Sequence, residues 1–61
     1  MWITRDEVVC SLCRRGWHSP RVVLYRTSGN RSGYGAVDDA GKSISLAHRW
    51  SSDGLKFKEV I

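Results

Sequence analysis

The stretch TRDEVVCSLCRRG, residues 4–16, carries helix signals at both ends, and this constrains the chain more than any other feature. Thr4 is a capping residue and Glu7 stands three places later, the spacing of a capping box. Ile3 before the cap and Val8 inside the helix are placed to form a hydrophobic staple. Asp6 and Glu7 suit the positive end of the helix dipole, and Arg14 and Arg15 the negative end. Gly16 then supplies a left-handed stop. At ~100° per residue, Val8, Val9, Leu12 and Cys13 fall on one face, with Cys10 at its edge and Glu7, Ser11 and Arg14 opposite. A helix with so narrow an apolar stripe needs a partner surface, and the remaining residues must supply it.

They read as strands. RVVLYRT (21–27) holds four consecutive apolar residues, most of them β-branched or aromatic, as in a buried strand. SGNRSG is a turn cluster, YGAV (34–37) a short second strand, and DDAGK a tight turn. SISLAHRW (43–50) alternates, SSDG fits a four-residue hairpin loop, and LKFKEVI alternates again. The chain is therefore expected to be one small α+β domain over 1–61. Its architecture is one N-terminal helix followed by an antiparallel meander of three to four strands. At 61 residues its own core is thin, so a homodimer is an expectation as well.

A second reading starts from Ser19 and Pro20, a good cap and first helical residue. The pattern TRDEV…L…SPRVV is similar to the winged helix-turn-helix domains of SOS-type repressors. That resemblance implies two helices up to residue 29, then GYGAVDDAGKSISLAHR as a hairpin wing. It covers under half the chain and lacks the first helix of that fold, leaving a minimal winged helix-turn-helix as the alternative.

Cys10 and Cys13 form a C-x-x-C, which raises metal and redox chemistry. A structural zinc takes four nitrogen or sulfur ligands, and only Cys10, Cys13, His18 and His48 are available. The pair, RSGYG (31–35) and Trp50 resemble the zinc ribbons of small restriction-alleviation proteins of phages. The second cysteine pair of those proteins is replaced here by residues around Tyr25 to Ser28. Thiols in the second half of a helix also sit near its negative end, the wrong place for a reactive thiolate. Packed thiols, no metal and no cofactor are therefore expected. Asp38 and Asp39 precede Ala40-Gly41 and read as turn residues. His18 and His48 have no evident nucleophile beside them. Gly29, Gly33 and Gly35 lack the Lys-Ser/Thr of a phosphate loop. The expectation is a protein that binds and does not catalyse.

Charge points to the partner. Ten cations against six acids give +4, and seven of the ten are arginine, which pairs bidentately with phosphate or carboxylate. With SSDG as a loop, Arg49 faces Lys56 across the last hairpin, with Lys58 one pair away and Ser43 and Ser45 behind. Like charges so opposed cost a few tenths of a kcal/mol, which is tolerable where an anion will lie. A second set, Arg14, Arg15, His18 and Arg21, surrounds Trp17 at the helix exit, and Arg26 and Arg31 add charge nearby. Three tryptophans are many for so small a core, and some of that surface is free for a partner. The expected function is a small basic module that binds nucleic acid, DNA or RNA, through the sheet face and helix exit. The alternative is a protein-binding regulator or inhibitor of phage or mobile-element type, anti-restriction-like, that uses Trp17, Trp50 and the arginines against an acidic host protein. The opening residues are not those of a secretion signal and no apolar run spans a bilayer, so a cytoplasmic protein without membrane contact is expected.

Overall fold

The computed structural model describes every residue except Ser28, Asn30 and Ile61, with the backbone only at Thr27. One helix, α1 (Arg5–Arg14), precedes four strands: β1 (Arg21–Thr27), β2 (Arg31–Val37), β3 (Ser43–Ser51) and β4 (Gly54–Glu59). They form a single antiparallel meander in the order β1-β2-β3-β4. The residues that a helix-turn-helix would make its second helix are strand β1, as the run Val22-Val23-Leu24-Tyr25 favours. Strand β2 is longer than the YGAV expected, beginning at Arg31. The turn cluster SGNRSG therefore gives its last three residues to β2, and its Ser28 and Asn30 lie outside the described residues.

Both ends of α1 close as the local sequence dictates. The Thr4 hydroxyl accepts from the Glu7 N–H at 3.2 Å while Glu7 Oε1 accepts from the Thr4 N–H at 3.1 Å, a complete capping box. At the other end Gly16 has φ +88°. Its N–H donates to the Cys13 carbonyl and the Trp17 N–H to the Leu12 carbonyl, both at 3.1 Å. That is a Schellman motif, and of its hydrophobic partners Leu12 belongs to the core and Trp17 packs against it.

The core is Val8, Leu12, Ala36, Leu46 and Phe57, edged by Ile3, Trp17, Val22, Tyr34, Ile44 and Leu55. Strand alternation puts every sheet member of this set on the side that carries α1. The helix is rotated from its expected setting. Val8 and Leu12 are buried as read, but Cys10 and Cys13 are both exposed thiols. Half-buried Ser11 and exposed Arg15 face the sheet edge instead and line a small cleft with Ile44, Leu46 and Glu59. Two stripes have helical spacing here, 8-9-12-13 and 8-11-12-15. The second stripe meets the sheet, and Arg15 at its end makes a bidentate pair with Glu59 at 2.9 and 3.2 Å. Packed thiols are thus replaced by solvent-facing ones.

The last hairpin has the anticipated register, with Ala47 paired to Lys58, His48 to Phe57, Arg49 to Lys56 and Trp50 to Leu55. Its loop is shorter than the four residues expected: Ser51 pairs with Gly54, leaving Ser52 and Asp53 as the turn. Gly54 turns the chain at φ +107°, a value that only glycine adopts readily. Gly54→Val is expected to destabilise by ~1–3 kcal/mol, and Ser52→Val in the exposed turn by about 0.5 or less. Denaturant midpoints of the two variants check this.

The chain entering α1 also completes the sheet. Ile3 and Phe57 exchange both backbone hydrogen bonds, Ile3 N–H to Phe57 O at 2.9 Å and Phe57 N–H to Ile3 O at 2.7 Å. This antiparallel bridge directs Ile3 to the core side and Trp2 to the opposite side, where Lys56 and Lys58 also point. No helix among the described residues is long and apolar enough to cross a membrane.

Candidate nucleic-acid interface

The sheet has one face covered by α1 and one bare face. On the bare face alternation places Val23 and Tyr25 of β1, Gly33, Gly35 and Val37 of β2, Ser43, Ser45, Ala47 and Arg49 of β3, and Lys56 and Lys58 of β4. Arg21 and Arg31 stand at its margins. No strand residue on this face is acidic, because the only acid within the strands, Glu59, lies on the helix side and is held by Arg15.

Two aromatic rings shape the bare face. The Arg49 guanidinium stands 5.3 Å from the centroid of the Trp2 ring, a cation–π contact. Tyr25 leans from β1 across β2, over the two glycines. A Cβ on Gly33 would come within 3.2 Å of the Tyr25 ring. One on Gly35 would reach 3.2 Å from the same ring and 3.0 Å from the Ile44 carbonyl. Glycine at both positions lets the ring lie close to the backbone. Tyr25, Val23, Gly35, Val37, Ser43 and Ser45 together line a shallow open depression.

Arg49, Lys56 and Lys58 are thus brought together, and none of the three is in an ion pair among the described residues. Lys56 acts electrostatically on Glu7. The Glu7 pKa is lowered first by the hydrogen bonds it makes with the backbone and hydroxyl of Thr4, and less by Lys56.

The helix-exit set is differently engaged. Arg15 is tied to Glu59, and Arg21 donates to Asp39 at 2.9 Å and to the Ser19 carbonyl at 3.1 Å. Trp17 packs on the core, leaving Arg14 and His18 exposed. His48 lies on the helix side of β3, edge-on to Tyr34 with ring centroids 4.8 Å apart. Among the described residues no three of His, Cys, Asp and Glu converge on a point where a metal would sit.

Asp38 does structural work. It is the one buried charged side chain among the described residues, 6% exposed. Its Oδ2 accepts from the His18 N–H at 3.0 Å, and its Oδ1 from Ala40 at 3.1 Å and Lys42 at 2.7 Å. The helix exit is thereby fixed to the β2–β3 turn. Burial raises the Asp38 pKa, but these three N–H groups and the Lys42 charge outweigh it and hold the carboxyl below its ordinary value. A folded pKa below the unfolded one adds stability that is fully present above about pH 4 and is lost as pH falls through the folded value. Asp38→Asn is therefore expected to unfold more easily at pH 7, with the gap to the native protein narrowing below about pH 4. Denaturant titrations at stepped pH measure that gap.

Trp2 and Tyr25 are the residues that the sequence reading leaves out of the site. Gly33, paired across from Tyr25, and Gly35, paired with Val23, are the signal that bears on it, since a Gly-x-Gly within a strand marks a close approach. For Trp2 the signal is tertiary, because its side of the sheet is set by the bridge at Ile3. In comparisons with known proteins, no family model, curated protein or solved structure matches the chain.

Proposed function

We propose that this protein is a small non-catalytic module that binds nucleic acid through the bare face of its sheet, working in the cytoplasm. One observation carries the reading: Arg49, Lys56 and Lys58 share a strand face that has no carboxylate of its own. Three cations so placed repel one another, and a row of phosphates relieves that repulsion. Ser43 and Ser45 beside them supply neutral donors to phosphate oxygens. Arg14 and His18 at the helix exit are secondary contacts, while Arg15 and Arg21 serve the fold first.

The test is binding of labelled oligonucleotides by fluorescence anisotropy across a salt series. Affinity should fall with salt, each phosphate contact adding about 0.7 to the log–log slope on single strands and about 0.9 on duplex. Absence of binding at low salt would sink the proposal.

A second reading rests on Trp50 and Leu24, which are 72% and 61% exposed on the helix side of the sheet. Large apolar side chains left open in this way suit a protein partner, and a protein-binding regulator would present them to it.

A further inference from the structure

We infer that the nucleic acid held by the bare sheet face is single-stranded, with bases stacked on Tyr25 and on the Trp2–Arg49 pair. The inference rests on the nucleic-acid reading above and names the form of ligand that face selects.

Strands β1 to β4 span three inter-strand spacings, or about 14 Å before any side chain is added. The major groove of B-DNA is about 12 Å wide and admits one helix or a two-stranded ribbon, so this face as a whole is too wide to enter it. The helix lies on the other side of the sheet and cannot project into a groove from here. A duplex laid on the face would offer phosphates to Lys56 and Lys58, but its bases would be turned inward, away from both rings.

A single strand uses everything that the face presents. Tyr25 lies close over Gly33 and Gly35, and it is 39% exposed. The ring is supported from below by backbone and open to a base. At the other side of the sheet the Arg49 guanidinium is already held against the Trp2 ring. Bases stack on guanidinium planes as they do on aromatic rings. Preorganisation of this kind lowers the ordering cost of binding. Lys58 and Lys56 lie beside Trp2, where they meet the phosphates of a strand passing between the two platforms. Stacking accepts any base, so little sequence preference is expected.

The experiment compares a labelled single strand of mixed sequence with the same strand in a duplex, both at low salt, by anisotropy. Tyr25→Leu and Trp2→Leu are each expected to weaken single-strand binding about 5- to 150-fold, the factor equivalent to ~1–3 kcal/mol per stacked base, and to leave duplex binding nearly unchanged. Tyr25→Phe and Trp2→Phe keep a ring and should retain most of the affinity, which separates stacking from a folding defect. Thermal melts of all four variants establish that they fold. Equal affinity for both forms, or leucine variants that fold and bind single strands as the native protein does, would overturn the single-strand inference and leave the nucleic-acid reading standing. No binding to either form would remove both.

Discussion

Phe57→Ala is expected to abolish cooperative folding. Phe57 is 1% exposed and sits where three parts of the chain meet. Its backbone pairs with Ile3 and with His48, and its ring lies edge-on to Tyr34 at 5.1 Å. Removing a buried phenyl group costs about 3–5 kcal/mol, transfer and cavity terms together. A core in a domain of this size rarely supplies more than about 3–5 kcal/mol in all, so the loss matches the whole margin. Circular dichroism with urea titration should show no native baseline for Phe57→Ala. Phe57→Leu, which keeps most of the apolar area, should still unfold cooperatively at a lower midpoint. A cooperative Phe57→Ala transition within about 1 kcal/mol of the native protein would mean that the core is centred elsewhere.

The second large effect concerns binding. Replacing Arg49, Lys56 and Lys58 together by glutamine removes three cations of the bare face, none of them in an ion pair among the described residues. If each meets one phosphate, the log–log salt slope should fall by about 2 on single strands and about 2.7 on duplex. Affinity should drop almost uniformly across sequences, because phosphate contacts carry no base information. Stability should change little, since relief of the facing charges of Arg49 and Lys56 is offset by loss of the Arg49 contact with the Trp2 ring. A loss of binding at nearly unchanged stability is a signature that a merely structural role for these residues does not produce.

What was legible in the sequence was local. The capping box at Thr4 and Glu7, the stop at Gly16 and the register of the β3–β4 hairpin each depend on residues a few positions apart, and all three stand as read. The rotation of α1 was not legible, because two stripes of residues have helical spacing and the one that meets the sheet does so against Ile44, Leu46 and the Glu59 bonded to Arg15, all far along the chain. The same contact withdraws Arg15 from the candidate interface, as Asp39 does Arg21 and the core does Trp17. Composition counts cations without saying which are already satisfied. Trp2 was hidden for a related reason. Its orientation follows from an antiparallel bridge between Ile3 and Phe57 that no local pattern announces, and the cation–π contact with Arg49 is a consequence of that bridge.

The three tryptophans report directly on which face binds nucleic acid, because each stands in a different environment. Trp2 stands on the bare face beside Arg49, Trp17 packs on the core, and Trp50 is exposed on the helix side. Their indole N–H groups give three separate signals in a nitrogen-15 correlation spectrum of the native chain, assignable by single substitution to phenylalanine. On titration with a short single-stranded oligonucleotide, the Trp2 signal is predicted to shift strongly while those of Trp17 and Trp50 hold nearly still. A moving Trp50 signal with Trp2 unchanged would place the binding surface on the helix side and contradict the account.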